Sequence, residues 1–218
     1  MSIPLYFALT SKEIPQKRSS HTAALTGFGF EANGGVRIPE NAALSDDIMA
    51  VIDDAAIPAQ DVNSAEIEKL ASFCSQAGCF LDFVKPVSAF HVAVILGIRR
   101  LLPQMPLWIP ARYHHFAPEA LCVVTQVQPC NHWERFVQRM QKTYGKWCLE
   151  VTPWNAAFFL PKVKNRAGYL QHSCCNYAHD GELCRYFDTS DTLKQKLALA
   201  EAHGCAGAIG LYRELTEL

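Results

Sequence analysis

Residues 78–86 form a short, largely apolar segment that contains a single acid, Asp82, near its end. The segment begins with Gly78 and ends with Pro86, and such flanking residues are typical of a short buried strand. An amphipathic helix is predicted just before it, at residues 63–76. Burying a lone carboxylate is costly unless the group is paired or faces a polar cavity. We therefore predict a strand whose carboxyl end borders a site, with Asp82 directed into that site rather than into the core.

The order of strand and then helix recurs along the chain. Besides the Asp82 strand, strands are predicted at residues 3–9, 27–31, 48–52, 107–109, 121–126, 147–151 and 207–212. Further helices are predicted at 88–101, 133–143 and 191–203, and a turn at 33–35 precedes a short hairpin arm at 36–38. Eight strands, several joined by helices, are the number in a closed parallel barrel. The chain is therefore predicted to be an α/β protein with an abbreviated (β/α)8 TIM-like barrel.

A different pattern lies before the last predicted helix. Asp180-Gly181 is a strong two-residue hairpin signal, and the segments at 169–173 and 183–186 flank it. We predict an inserted β-hairpin at about residues 168–187. The sequence contains no linker, low-complexity tract or repeat, so residues 1–218 are predicted to form a single barrel domain.

The composition narrows the classes of partner. The formal net charge is −1 and 19% of the residues are charged, which excludes the basic surface typical of nucleic-acid binding. No window reaches the roughly 20 apolar residues that a membrane span requires. Residues 1–6 lack the basic and apolar segments of a signal peptide. We expect a cytoplasmic protein that binds neither nucleic acid nor membrane, of unspecified oligomeric state.

The nine cysteines are an odd number, and without an export signal reduced thiols are expected. One local cluster has two interpretations, a zinc site or ordinary loop and hairpin residues: His172, Cys174, Cys175, His179 and Cys184. Because the cluster has no C-x-x-C pair, we predict that no metal binds there. No complete nucleotide-binding motif is present either, so no cofactor is expected.

In such a barrel, function belongs at the carboxyl ends of the strands. The polar residues predicted there are Asp53, Asp54, Asp82, Arg112, Gln126, Gln128, Glu150, Tyr212 and Glu214. Asp82 and Glu150 are the candidates for catalysis or for lining a cavity, because apolar residues flank both. For Asp53, Asp54 and Glu214 the alternative is a solvated loop charge. Trp154 follows the Thr152-Pro153 break, so we predict that it lies in a loop and can stack on a sugar ring, whereas the other tryptophans belong to the core.

The last third of the chain resembles a known family. Residues 186–196 read YFDTSDTLKQK, and residues 204–215 read GCAGAIGLYREL. These segments are similar to the end of the glycoside hydrolase family 18 barrel, which has an aromatic-acid pair, a D-x-x-S-L-x-x-K helix start and a glycine-rich last strand ending in W-E-L. That family includes chitinases and related peptidoglycan-active proteins. The resemblance implies a TIM barrel with a small insertion and a carbohydrate or cell-wall fragment as ligand.

The family's catalytic strand reads D-G-x-D-x-D-x-E. With Gly78 on its glycine, Asp82 matches the last Asp, which orients the acetamido group of the substrate, but Val84 replaces the Glu that protonates the leaving oxygen. Tyr212 matches only approximately the tryptophan that normally lies under the sugar. The resemblance thus implies a degenerate member in which the barrel persists and the standard hydrolysis does not.

Three functions follow from these observations. The first is a non-hydrolytic barrel that binds a carbohydrate or another small polar ligand. Its predicted contacts are Asp82, Gln126, Glu150 and Tyr212, together with Asp53, Trp154 and Glu214. The second is a glycosidase with a relocated acid, Glu150 acting with Asp82. The third is an interaction or structural protein that binds no small ligand.

Overall fold

The computed structural model describes residues 3–14, 22–40, 42, 47–58, 62–74, 76–125, 133–152, 154–159, 176–180 and 183–216; for 154–159, 176–180 and 183–187 it describes the backbone alone. The strands in this part of the chain are β1 (Leu5–Leu9), β2 (Thr22–Phe30), β3 (Val36–Arg37), β4 (Ile48–Asp53), β5 (Cys79–Asp82), β6 (Leu107–Pro110), β7 (Leu121–Thr125), β8 (Trp147–Val151), β9 (Trp154–Phe159), β10 (Asn176–Asp180), β11 (Leu183–Phe187) and β12 (Cys205–Leu211). The helices are α1 (Ser64–Ala71), α2 (Ala89–Leu101), α3 (Trp133–Tyr144), α4 (Ser190–Ala202) and α5 (Tyr212–Thr216), with a 3-10 helix at Ala111–Phe116.

The strand order confirms the predicted fold class. The large sheet runs β1-β12-β8-β7-β6-β5-β4-β2-β3, and β1 also pairs with β2, so its eight parallel strands close on themselves. The ninth strand, β3, pairs antiparallel with β2. This is a (β/α)8 TIM-like barrel, and it is abbreviated: the fully described connection between β6 and β7, for example, holds only the 3-10 helix Ala111–Phe116. None of the helices described is long and apolar enough to cross a membrane.

By its internal contacts the chain divides into two compact units. We name them the N-terminal unit, Tyr6–Val123, and the C-terminal unit, Val124–Leu218 together with Met1–Leu5.

The N-terminal unit has a helix-covered sheet face and an opposite face with its own aromatic layer. On the covered face, the Phe30 ring packs on Phe90 of α2 with centroids 5.2 Å apart. On the opposite face, the rings of Tyr6 and Trp108 meet edge to face at 5.1 Å, and Phe80 is the register partner of Trp108. Because side chains alternate along a strand, Asp82 shares the face of Phe80. Asp82 is therefore the next side chain after Phe80 on the face of the sheet that carries these aromatic rings.

The start of β5 requires a glycine. Gly78 has a φ of +110°, and a Cβ there would lie 2.6 Å from the carbonyl oxygen of Pro106. This close approach lets the Cys79 N–H donate to the same carbonyl at 2.9 Å, which begins the pairing of β5 with the segment before β6.

Helix α1 is shorter than predicted. Asn63 caps its first turn, since the side-chain oxygen accepts a hydrogen bond from the Ala65 N–H at 3.0 Å. At the other end, the N–H groups of Phe73 and Cys74 donate to carbonyls three residues earlier. Such bonds tighten the backbone into a turn, so the helix ends at Ala71 and not at residue 76.

In the C-terminal unit, α3 and α4 pack beside β8 and β12, which pair in parallel. The indole N–H of Trp147 donates to the His203 carbonyl at 2.9 Å, and that of Trp133 donates to the Lys196 carbonyl at 3.2 Å. Both tryptophans are fully buried. They belong to the core, as predicted, because each polar N–H finds a carbonyl there.

The inserted hairpin is confirmed, with different bounds. Strands β10 and β11 pair antiparallel around Asp180-Gly181, and β11 also pairs with β9, which was not predicted. The first arm lies at Asn176–Asp180. The predicted arm at 169–173 falls outside the described residues. The insertion is therefore a three-stranded sheet between β8 and α4.

Candidate functional site

Two predicted acids lie side by side in the N-terminal unit. Asp53 ends β4 and Asp82 ends β5, and the two residues are register partners in the parallel pairing of these strands. Both side chains are half-buried, on the face that carries Trp108. The carboxyl ends of β4 and β5 thus place two carboxylates next to each other.

Arg37 completes this group, and the sequence analysis did not identify it. Its Nη2 lies 2.5 Å from Asp53 Oδ1, and its Nε donates to the Gly27 carbonyl at 3.1 Å. Gly29 makes room for the pair, since a Cβ there would lie 2.7 Å from Arg37 Nη2. About a third of each charged side chain remains exposed, 33% for Arg37 and 32% for Asp53. The guanidinium is therefore both anchored and accessible.

Asp54 is not a solvated loop charge; that alternative is wrong. Its side chain is buried, and Oδ1 accepts a hydrogen bond from the Val84 N–H at 3.1 Å. Oδ2 accepts from the Lys85 N–H at 2.7 Å and lies 3.2 Å from His91 Nε2. These partners compensate the desolvation of the carboxylate. Asp54 joins the loop after β4 to the loop after β5 and to α2.

His91 supports Asp54 from inside α2. The backbone N–H of Ser88 points at His91 Nδ1 at 3.1 Å, and the Ser88 hydroxyl lies 2.8 Å from the same nitrogen. A backbone N–H can only donate, so this network assigns the tautomer in which Nε2 carries the proton and donates to Asp54. The rings of Phe83, Phe90 and Tyr113 surround the imidazole at centroid distances of 5.0 to 5.2 Å.

Further side chains hold the backbone after β5. Arg112 donates to the Val84 carbonyl at 2.8 Å, so this predicted site residue contacts protein backbone. The Tyr113 hydroxyl donates to the Lys85 carbonyl at 2.6 Å, and Lys85 Nζ donates to the Ala55 carbonyl at 2.6 Å. Burial, followed by the nearby Asp54 charge, raises the pKa of Tyr113, which keeps this phenol protonated as a donor.

Glu150 lies in the C-terminal unit. Trp147 of the same strand packs on Phe136 of α3, with ring centroids 6.3 Å apart, so Glu150, three residues later, points to the opposite face of the sheet. The Thr125 hydroxyl donates a short hydrogen bond to Glu150 Oε2. This contact orients the carboxylate at the carboxyl end of β8.

A buried ion pair lies near Glu150 in the same unit. Lys196 Nζ lies 2.8 Å from Asp188 Oδ1 and 2.9 Å from Oδ2, and it also stands 5.3 Å from the centre of the Trp133 ring. Burial raises the pKa of Asp188, although the Lys196 charge opposes the shift. A pocket with an empty volume of about 290 Å³ is lined by both residues and by Glu150 and Thr152. The N-cap of α4 is Thr189, whose hydroxyl accepts a hydrogen bond from the Thr192 N–H.

The other predicted residues are placed as follows. Tyr212 and Glu214 lie on α5 and not on the last strand, which ends at Leu211. Trp154 was predicted in a loop, which is wrong, because it belongs to β9 and pairs with Phe187 of β11. Gln126 and Gln128 lie outside the described residues.

The His and Cys cluster that was considered as a zinc site is only partly described. His179 and Cys184 face each other across β10 and β11 as register partners, whereas His172, Cys174 and Cys175 lie outside the described residues. Elsewhere in the described chain, no group of three His, Cys, Asp or Glu side chains could hold a metal ion.

Comparison with known proteins identifies solved structures of the same fold. No protein-family model and no curated protein sequence matches the chain. The GH18 chitinase from Cycas revoluta in complex with (GlcNAc)3 is 10% identical, with a TM-score of 0.64 over 97% of this chain and 95% of that one. The class V chitinase from Nicotiana tobaccum is 8% identical, with a TM-score of 0.62 over 98% and 94%. The Bacillus cereus spore cortex-lytic enzyme SleL is 12% identical, with a TM-score of 0.58 over 99% and 74%. The chain thus has a TIM-barrel fold like that of the glycoside hydrolase family 18 chitinases.

Proposed function

We propose that this protein is a non-hydrolytic, glycoside hydrolase family 18-like barrel that binds a carbohydrate at the carboxyl ends of its strands. The observation that carries the proposal is Val84, which is 65% exposed two residues after Asp82. A valine at the position that the resemblance assigns to the general acid cannot transfer a proton. Binding can persist without that acid, because it depends on the polar groups nearby.

The polar groups of the N-terminal unit suit a sugar. Asp53 and Asp82 offer carboxylate oxygens to hydroxyl groups, and the accessible part of Arg37 offers N–H donors. Held in place by Gly27 and Asp53, Arg37 loses little further freedom on binding. The solved neighbours support the ligand class, since the Cycas revoluta chitinase was crystallised with (GlcNAc)3 and SleL is named a cortex-lytic enzyme. Gln126, Glu150, Trp154, Tyr212 and Glu214 remain predicted contacts.

The test is calorimetric titration with (GlcNAc)4 and with soluble peptidoglycan fragments, followed by chromatography of the incubated sugar. We expect saturable binding of at least one sugar without cleavage products. Asp82→Ala should weaken that binding at least tenfold, the loss of about one charged hydrogen bond. The matched control is Asp191→Ala, which removes an acid that is 88% exposed on α4.

Two outcomes would replace the proposal. Cleavage products that disappear in Glu150→Gln would establish the glycosidase with a relocated acid. No binding of either sugar by the wild-type protein would leave an interaction or structural role.

A further inference from the structure

Five side-chain hydrogen bonds surround the two residues that follow Phe83. Asp54 accepts from both N–H groups, Arg112 and Tyr113 donate to the two carbonyls, and Lys85 donates back to the Ala55 carbonyl. We name this arrangement the Val84 clamp. Its five backbone partners are the N–H and C=O groups of residues 84 and 85 and the C=O group of residue 55.

The clamp fixes the backbone of a residue whose side chain is mostly exposed and so contributes little to the hydrophobic core. Val84 is 65% exposed, whereas Phe83 before it is buried. The clamp nevertheless uses a buried carboxylate, and burying that charge is costly even when it is well paired. Asp54 in turn is held by the buried imidazole of His91. The backbone that carries Val84 is therefore fixed before any ligand arrives, so a ligand that contacts this side chain meets a pre-organised group.

We propose that Val84 is a contact residue of the carbohydrate site and that Asp54 and Arg112 act as its positioning residues. This inference rests on the proposed function and adds a requirement on the ligand. A valine side chain has no hydrogen-bonding group, so it can contact only an apolar part of a sugar, such as a C–H face of the ring or the methyl of a substituent. Asp82, two residues earlier, supplies the polar contact beside it.

The decisive comparison is between two exposed valines of the same loop. Val84→Thr keeps the shape and replaces one methyl by a hydroxyl, and we expect about a tenfold higher Kd for the sugar that binds the wild-type protein. Val87→Thr makes the same change three residues later, at a side chain that is 43% exposed, and should leave the Kd unchanged. Neither change should lower the thermal midpoint, because both side chains face water.

A second measurement isolates positioning from stability. Arg112→Gln removes the charged donor to the Val84 carbonyl at an exposed side chain, so we expect a higher Kd with little change in thermal midpoint. Because Arg112 acts through Val84, the double variant Arg112→Gln/Val84→Thr should bind little worse than Val84→Thr alone. Arg112→Lys should restore part of the affinity. Fully additive losses would overturn the positioning role.

The outcomes separate the two proposals. If Asp82→Ala weakens binding and Val84→Thr does not, the inference about Val84 is wrong and the proposed function stands. The inference is also overturned if Val87→Thr weakens binding as much as Val84→Thr does. If the wild-type protein binds neither (GlcNAc)4 nor peptidoglycan fragments, both proposals fall together.

Discussion

Lys196→Met tests the buried ion pair of the C-terminal unit. The change keeps most of the side-chain length and removes the charge that lies 2.8 Å from Asp188. The exposed fractions of the two charged side chains are only 7% and 3%, so water cannot replace the lost partner. We expect a large loss of stability at neutral pH that shrinks as the solution becomes acidic.

The magnitude follows from the alternative open to Asp188. Without Lys196, Asp188 can avoid carrying a buried charge by staying protonated in the folded protein. Keeping it protonated costs about 1.4 kcal/mol for each unit by which the pH exceeds the unfolded pKa of about 4. At pH 7 this excess is about three units. That limits the penalty to about 4 kcal/mol, within the roughly 3–5 kcal/mol observed for breaking buried pairs. Near pH 4 the protonation cost is close to zero.

The sign follows from proton linkage. Burial already raises the pKa of Asp188 in the folded wild-type protein, and loss of Lys196 removes the main opposing charge and raises it further. Between the unfolded and folded pKa values the folded state binds more protons, so stability falls as the pH rises. The stability difference between variant and wild type should therefore grow from pH 4 to pH 7.

The assay is urea unfolding of both proteins between pH 4 and pH 8. Lys194→Met is the control on the same helix, because Lys194 is 75% exposed and lies 4.0 Å from Asp191; a change within about 0.5 kcal/mol is expected. Asp188→Asn/Lys196→Met removes both charges and should recover part of the stability at pH 7. A penalty for Lys196→Met that is independent of pH, or one matched by the control, would refute the reasoning.

Three further predictions concern other parts of the chain. Val84→Glu should not hydrolyse (GlcNAc)4, because Ala77 and Phe80 stand where the D-G-x-D-x-D-x-E pattern has its first two acids, so the acid alone does not restore the set; product formation would contradict this. Gly29→Ala should cost about 1–3 kcal/mol in urea unfolding, since its Cβ would lie 3.0 Å from the backbone carbonyl oxygen of Asp53, which cannot swing aside as the Arg37 guanidinium can, and an unchanged midpoint would exclude that contact. Burial raises the pKa of the Cys205 thiol to about 11 and also raises the pKa of Cys79. Iodoacetamide at pH 8 should therefore leave both cysteines of the native protein unmodified, as measured by mass spectrometry of their peptides. Rapid labelling of either cysteine before unfolding would contradict this.

Much of the barrel could be predicted because its elements are encoded locally. The apolar period of α2 and the cap at Asn63 place helices to within a few residues, and Asp180-Gly181 marks the turn of the hairpin. Local patterns were less accurate at the ends of elements. Strand β2 begins at Thr22, five residues before its prediction, because pairing with β1 and β4 extends it.

The candidate site was predicted only in part. Asp53 and Asp82 stand at strand ends, which a sequence pattern can locate, and parallel pairing then makes them neighbours. Arg37 was missed because its partner lies 16 residues away in the chain. His91 inside an apolar helix was a signal that could have been used, since a fully buried imidazole needs a polar partner.

The sequence by itself determined where strands and helices form, because turn residues, caps and apolar periods act over a few neighbouring residues. It also determined that a valine stands at the position where the resemblance to glycoside hydrolase family 18 predicts a proton donor. Only the tertiary structure decided how the charges are used. Asp54 meets the Val84 N–H across 30 residues of chain, and Arg37 meets Asp53 across 16. Such pairings arise when the folded sheet brings distant segments together and removes water from them, and neither spacing nor composition records that event.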